Sequence, residues 1–307
     1  MNAIVLLSAL VIFYIETSGQ RGSIDYFGQR PPADSAELFA KGLISTNISE
    51  HSSPVFSPDG KTVLWTIMKM PSYRTMILEM NYENGKWSSP HTPAFSDTSA
   101  NEVYPSFSPD GSQLYFSSNR KTEKTDTSIK GNRLWRVETK VNGWGIPVLL
   151  DSVISKGGEY ASSISQSGNL YFTFGRFRSA DWNILLSEKR NSLYSSPTRL
   201  ALNGAGYEDG PFVAPDERYI IFESQRPESM NGSIDLFICF KNKEGQWSEP
   251  KNMGAKINSS FSERFARVSP DGQFLFFGSN RSQTEIAKDF DIFWIDAKII
   301  EELRNGN

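Results

Sequence analysis

The chain has 307 residues, 38% hydrophobic and 13% aromatic, enough to bury a sizeable core in one large domain or two smaller ones. Its formal net charge is -3, and lysines and arginines are scattered singly, which argues against the concentrated basic surface of a nucleic-acid-binding protein. We therefore expect its partners among proteins, small anionic molecules and glycans.

The N-terminus begins with an apolar run at residues 3–15. This run is too short for a membrane span and has the length of a signal-peptide core. We predict a signal peptide at 1–19, a linker at 20–35 and a mature chain without a membrane span, located in the periplasm or secreted from a bacterial envelope. No lysine or arginine precedes the run, so an uncleaved anchor stays open as an alternative.

A short unit recurs five times along the chain. Its clearest copy runs from Glu102 to Arg120 and contains Ser-Pro-Asp-Gly at 108–111. The aspartate of this turn, or the residue that replaces it, gives five markers: Asp59, Asp110, Ser167, Asp216 and Asp271. Successive markers are 51, 57, 49 and 55 residues apart. Periods near 50 are typical of propeller blades or solenoid repeats.

Each repeat contains the pattern of four strands. Apolar runs flank every turn, such as residues 114–116, and a third run follows them, which indicates strands covered on both faces. A Trp-x-x-Pro signature comes next in the first, second and fourth copies, with Tyr194 replacing tryptophan in the third. Because proline cannot donate to a strand ladder, the strand that it opens is predicted to lie outermost in the blade.

The fifth repeat has only three strands, since its end at 298–307 has the pattern of a short helical tail. The segment 36–45 precedes the first repeat and can supply the missing strand. We predict an all-β fold at 36–297, a five-bladed β-propeller of four-stranded antiparallel blades, closed by an N-terminal strand that completes the last blade. Closure removes exposed strand edges.

The Ser-Pro-Asp-Gly hairpins, followed by Leu-Tyr-Phe-x-Ser-x-Arg, resemble the Pro-Asp variant of the WD-type repeat in TolB-like proteins. The likeness extends over 36–297 and implies an envelope propeller that acts as a binding or scaffold module. This chain departs from the pattern in two turns. The third copy has lost proline and aspartate, and the fourth has Glu217 in place of glycine.

Charged residues recur at both ends of the unit. Eight residues before the marker lie Glu102, Glu159, Glu208 and Glu263, with His51 in the first copy. Nine or ten residues after it lie Arg120, Arg176, Arg226 and Arg281, with Lys69 in the first copy. Because the two strands run antiparallel about the turn, both positions return to one end, where we expect them around the mouth of the central channel.

Two interpretations of these charges stay open. The glutamates and arginines pair and lock the ring, or the charged mouth binds an anionic or polyhydroxylated ligand with arginine as its anchor. His51 and Lys69 break the repeat in one blade, which would favour an off-centre ligand or a metal, although a lone histidine ordinarily only makes a hydrogen bond.

Signals of catalysis are weak in this sequence. It contains no Gly-x-Ser-x-Gly motif, and its two histidines, His51 and His91, leave little for zinc or a Ser-His relay. We predict a monomeric binding or protein-interaction module without cofactor, metal or assigned catalytic residue. A glycan-active hydrolase or lyase on the same face is the alternative, because a ring of glutamates supplies candidate carboxylate pairs.

Overall fold

The computed structural model describes residues 24–121, 131–175, 181–281 and 290–306. The predicted signal peptide and the first four residues of the predicted linker lie outside the described residues. Within the part of the chain that is described, no helix is long and apolar enough to cross a membrane.

Five small antiparallel sheets form the blades of a five-bladed propeller, which confirms the predicted fold. The first strand, β1 (Glu37–Leu38), belongs to the last blade. Blade 1 follows with β2 (Ser49–Glu50), β3 (Val55–Phe56), β4 (Thr62–Lys69), β5 (Arg74–Glu83) and β6 (Lys86–Trp87). Blade 2 contains β7 (Glu102–Phe107), β8 (Gln113–Ser118), β9 (Arg133–Lys140), β10 (Gly143–Trp144) and β11 (Val148–Leu149).

The remaining blades repeat this order. Blade 3 contains β12 (Glu159–Ile164), β13 (Leu170–Phe174), β14 (Asn183–Ser187), the hairpin of β15 (Lys189–Arg190) and β16 (Leu193–Tyr194), and β17 (Thr198–Arg199). Blade 4 contains β18 (Glu208–Val213), β19 (Tyr219–Ser224), a 3-10 turn (Met230–Gly232), β20 (Asp235–Phe240) and β21 (Lys251–Asn252). Blade 5 contains β22 (Glu263–Val268), β23 (Phe274–Ser279) and β24 (Asp291–Asp296), and the helix α1 (Ile299–Asn305) follows it.

The ring is closed by β1, which pairs antiparallel with β24 and places Leu38 opposite Phe293. This confirms that an N-terminal strand completes the last blade. Part of the segment predicted as a linker adds to the closure. The buried ring of Tyr26 lies 5.0 Å from that of Phe274, and the indole N–H of Trp87 donates to the backbone carbonyl of Asp25. These contacts tie blade 1 to blade 5.

The core lies between neighbouring blades. One cluster joins Val55, Leu64 and Phe95 from the first blade and its exit loop to Leu114 and Phe116 of the second. Strands with nearly continuous apolar sequence are buried on both faces, as the sequence predicts. Such strands suit a fold in which every sheet is covered from both sides.

The inner strand of blades 2 to 5 carries a β-bulge just after its first two residues. At the bulge, Tyr104, Ala161, Gly210 and Phe265 have positive φ. The N–H of Tyr104 donates to Thr66 Oγ1 of the preceding blade at 3.0 Å, and that of Gly210 donates to Thr173 Oγ1 at 3.2 Å. The bulge therefore links neighbouring blades and redirects the side chains around it.

Candidate functional site

Three of the predicted glutamate and arginine pairs form within single blades. Arg226 Nη2 lies 3.0 Å from Glu208 Oε1, and Arg281 Nη2 lies 3.1 Å from Glu263 Oε1. Arg120 and Glu102 make the corresponding pair in blade 2. All three glutamates are buried.

Further contacts hold each of these arginines within its own blade. One guanidinium N–H donates to the backbone carbonyl of the chain entering the blade, at Phe95, Leu202 and Ile257 respectively. A serine at the end of the second strand donates its hydroxyl to the glutamate: Ser118, Ser224 and Ser279. The guanidinium of Arg226 also lies over Phe222 and Phe237, 5.6 Å from each ring centroid. Such contacts fix the geometry of the blade and leave few donors for a ligand.

The third blade is only partly described. Glu159 is buried and accepts hydrogen bonds from the backbone N–H groups of Lys156 at 2.8 Å and Gly157 at 3.1 Å. Burial raises the pKa of Glu159 to about 7, and these N–H groups oppose the rise. Its predicted partner, Arg176, lies outside the described residues.

Glu50, and not His51, takes the position of the repeated glutamate in blade 1. Glu50 lies opposite Ile67, as Glu102 lies opposite Ser118. Glu50 lies nine residues before Asp59, one more than in the other repeats. A count of eight residues back from Asp59 therefore reaches His51. Lys69, at the end of β4, is exposed.

His51 instead reaches the propeller axis. Its Nε2 lies 3.1 Å from the hydroxyl of Tyr104, and its ring lies 5.3 Å from that of Phe265. Burial lowers the pKa of His51 to about 3, and the charge of Arg264 lowers it further. Among the described residues no group of three or more histidine, cysteine and acidic side chains is placed to hold a metal ion. A neutral His51 therefore serves in a hydrogen bond and in packing.

The axis is closed near this point by aromatic side chains. The rings of Tyr104 and Phe265 lie 5.7 Å apart, although they come from blades 2 and 5, which are not neighbours. Both are buried, together with Val103 and Ala161. We call Tyr104 and Phe265 the plug, because they separate the two ends of the channel.

The channel wall on the glutamate side is built from the residue that follows each glutamate. These residues are His51, Val103, Tyr160, Asp209 and Arg264. They differ in type from blade to blade, whereas the glutamates repeat. This variation in residue type is the sequence signal that separates the five wall positions from the repeated glutamates.

A charged network surrounds Arg264 in this wall. Its guanidinium contacts Glu223 of the neighbouring blade and the hydroxyl of Tyr207, and its Nη2 lies 3.6 Å from Asp209 Oδ2. The Tyr207 hydroxyl in turn donates to Asp209 Oδ2 at 2.8 Å. Side-chain exposure is 18% for Arg264, 4% for Asp209 and 0% for Glu223. The charges are therefore largely removed from water.

Burial sets the protonation of this network. Desolvation raises the pKa of Glu223 to about 7, and Arg264 acts against that rise while Asp209 adds to it. The pKa of Arg264 is held well above its usual value, because its anionic neighbours outweigh the effect of burial. Strongly perturbed groups at a channel mouth mark a candidate functional site.

Aromatic rings form the adjoining wall. Tyr160 and Trp182 have ring centroids 5.0 Å apart, and those of Trp182 and Tyr207 are 5.9 Å apart. Trp182 packs directly on Gly175, where a side chain would collide with the indole. All three residues are half-buried. We call Tyr160, Trp182, Tyr207, Asp209, Glu223 and Arg264 the mouth site.

Fold and site define a β-propeller with a polar, aromatic-walled channel mouth. No protein-family model matches the sequence, and no curated protein matches it. The structure resembles an endo-arabinase from Bacteroides thetaiotaomicron, with 12% identity and a TM-score of 0.50 over 83% of this chain and 95% of that one. It also resembles a gluconolactonase from Xanthomonas campestris, with 11% identity and a TM-score of 0.47 over 85% of this chain and 89% of that one. The third similar structure is TolB from Acinetobacter baumannii, with 15% identity and a TM-score of 0.46 over 82% of this chain and 55% of that one.

The likeness to TolB covers little more than half of that protein, because the matched region spans 55% of the TolB chain. At 11 to 15% identity these similarities concern the fold alone. The likeness to the endo-arabinase agrees with the β-propeller fold of this chain, and a shared fold does not imply a shared function.

Proposed function

We propose that this chain is an exported propeller that binds a small polyhydroxylated ligand, such as a glycan, or a protein partner through the mouth site. The observation that carries the proposal is the network of Arg264, Asp209, Glu223 and Tyr207. It is desolvated, it breaks the five-fold repeat, and it adjoins partly accessible aromatic faces. A purely structural lattice would recur from blade to blade, as the glutamate and arginine pairs do in blades 2, 4 and 5.

The chemistry of the mouth site favours polyhydroxylated ligands over anions. Its acids, Asp209 and Glu223, outnumber its single arginine, and their presence disfavours an added negative charge. Carboxylates accept hydrogen bonds from hydroxyls, and the rings of Tyr160 and Trp182 offer apolar faces against which a sugar ring can pack.

The repeated glutamates and arginines have a supporting part in this proposal. We infer that the pairs of Arg120, Arg226 and Arg281 hold the first and second strands of each blade together. The residues one place beyond the glutamates would then contact the ligand. His51 would act through the plug, and Lys69 would contact only a partner large enough to extend beyond the channel.

Export to the periplasm or beyond the cell is proposed from the apolar run at 3–15. Fractionation of cells that express the full chain tests this part of the proposal. Mature protein in the envelope or medium supports it, and full-length protein in the cytoplasm contradicts it.

A hydrolase is the second candidate, and one observation favours it. Asp209 and Glu223 both contact Arg264, and burial raises the pKa of Glu223 to about 7, the range of a general acid. Release of reducing ends from an oligosaccharide by the wild-type protein, abolished by Glu223→Gln, would establish it. Binding of the oligosaccharide without its hydrolysis supports a binding module instead of a hydrolase.

Calorimetric titration tests the binding proposal with cellotetraose, arabinotetraose and an uncharged octapeptide as probes. We expect at least one probe to bind, and Trp182→Ala to weaken it about tenfold or more, because loss of a stacking ring costs on the order of 1–3 kcal/mol. Trp247→Ala is the matched control, because Trp247 lies on the outer hairpin of blade 4 and contacts Tyr171 and Lys241. Equal affinity in both variants would contradict the mouth site.

A further inference from the structure

A cavity lies at the end of the channel opposite the mouth site, where the Ser-Pro-Asp-Gly turns converge. Its volume is about 630 Å³, and all five blades line it. Its rim includes Pro58, Pro109, Pro215 and Pro270, the prolines of four turns. The plug separates this cavity from the mouth site.

A buried arginine from blade 5 faces this cavity. Arg267 lines it and is only 7% exposed. Its Nη1 donates to the backbone carbonyls of Ala266 at 2.9 Å and Pro211 at 3.3 Å. Its Nε and Nη2 donate to no protein atom in the described part of the chain, and no described carboxylate forms an ion pair with it. The guanidinium therefore keeps donors for another acceptor.

Strand register places two hydroxyl groups at the level of Arg267. Arg267, Ser106 and Ser163 occupy equivalent positions in the inner strands of blades 5, 2 and 3. Their partners on the second strands are Phe276, Tyr115 and Tyr171 respectively. Both serines line the cavity. Ser163 Oγ accepts the N–H of Val213 at 3.0 Å, so its own O–H is free to donate elsewhere.

The acids near the cavity make their direct contacts with groups other than Arg267. Asp209 and Glu223 are engaged by Arg264 on the far side of the plug. The rim acids are engaged locally: Asp110 accepts from Ser108 and Ser112, and Asp216 accepts the N–H of Arg218. Burial lowers the pKa of Arg267 to about 10, although the charges of Glu223 and Asp209 oppose the fall, so Arg267 stays charged at neutral pH. A buried cation without a carboxylate in direct contact is costly, and an anion in the cavity would offset that cost.

We propose that the turn-side cavity binds a small organic anion, whose carboxylate or phosphate group is held by Arg267 with Ser106 and Ser163. A guanidinium with two free donor positions matches the planar pair of oxygens on a carboxylate, or two oxygens of a phosphate. The cavity has room for an anion of the size of a sugar acid or sugar phosphate. This site uses other side chains than the mouth site and takes a different class of ligand.

Calorimetric titration of the mature chain with D-glucuronate, D-glucose 6-phosphate and D-glucose tests the proposal. D-glucuronate carries a carboxylate and D-glucose 6-phosphate carries a phosphate, whereas D-glucose is uncharged. We expect one or both anions to bind, with affinity falling as salt rises, and glucose not to bind. Failure of both anions, or equal binding of glucose, would overturn the proposal.

Variants locate the site. Arg267→Met keeps an unbranched apolar stem and removes the charged head group, so it should reduce anion affinity at least tenfold. Arg218→Ala at the rim should change anion affinity less than threefold. Ser106→Ala, which does not disturb a buried charge, should reduce affinity several-fold and decides the question where Arg267→Met does not fold. Unchanged affinity in Ser106→Ala and in a folded Arg267→Met would exclude this cavity. Trp182→Ala should leave anion binding intact, so the two sites can fail separately.

Discussion

The rings of Tyr104 and Phe265 meet at 5.7 Å across the axis of the propeller, although their strands belong to blades 2 and 5. Both residues have positive φ, 58° and 60°, at the bulges of their inner strands. The bulge thus has two results: its N–H groups link adjacent blades, and its side chains fill the axis. The plug therefore lies between the mouth site and the turn-side cavity.

Removal of one plug residue should destabilise the protein markedly. Phe265→Ala deletes a buried ring that also contacts His51 and Phe290, and we expect a loss of about 3–5 kcal/mol in the free energy of unfolding. Urea denaturation measures it. Phe261→Ala is the control, because Phe261 is 41% exposed, and its effect should be within about 1 kcal/mol. Similar losses in the two variants would argue against a packed plug.

His51 should make the protein less stable in acid. Its pKa in the folded state is about 3, below the ordinary value of 6.5, so the unfolded chain takes up a proton first as pH falls. Its contribution is present above pH 6.5 and is lost as pH falls toward 3. We expect His51→Gln to flatten the dependence of unfolding free energy on pH in that window. An unchanged slope would mean that His51 is protonated in the folded state.

The pair of Glu263 and Arg281 should matter for stability. Arg281→Met leaves Glu263 buried without its charge partner, and we expect a loss of about 3–5 kcal/mol. Lys69→Met changes the corresponding position of blade 1, which is exposed, and should stay within about 0.5 kcal/mol. Melting curves of both variants make the comparison. A neutral Arg281→Met would show that the pair does not hold the blade.

Gly210 should be required for the mouth site. It has φ +60°, and a Cβ there would collide with the carboxylate of Glu223. We expect Gly210→Ala to cost at least about 2 kcal/mol and to weaken binding at the mouth, since Glu223 must move away from Arg264. Gly254→Ala provides the control, because Gly254 has φ +77° but a Cβ added there would meet no atom within 4 Å. Equal stability and binding in both variants would contradict this assignment.

The fold could be predicted because its signals are local and repeated. Turn residues, apolar runs and proline positions recur near every fiftieth residue, and each has a short-range physical cause. Glu102 and Arg120 could be placed at one end of a hairpin for the same reason. Even the turn that lacks glycine forms, since Glu217 takes φ 59° there and pairs with Lys241 at 2.6 Å.

The mouth site could not be predicted in the same way. The bulge decides which side chains face the axis, and nothing in the residue types of Tyr104 or Phe265 shows its direction. One extra residue in blade 1 shifted the count from Glu50 to His51. The network of Arg264 depends on Glu223, which is 41 residues away in the sequence and comes into contact only when blades 4 and 5 pack together.

Two consecutive carboxylates of β18 allow the most direct test. Glu208 pairs with Arg226 inside its blade, whereas Asp209 belongs to the mouth site. The measurement is calorimetric affinity for the tightest-binding probe among cellotetraose, arabinotetraose and the uncharged octapeptide, in Glu208→Gln and Asp209→Asn. We predict that Asp209→Asn lowers affinity about tenfold or more, and that Glu208→Gln lowers the melting temperature with affinity nearly unchanged. Loss of affinity in Glu208→Gln with full affinity in Asp209→Asn would contradict the mouth site.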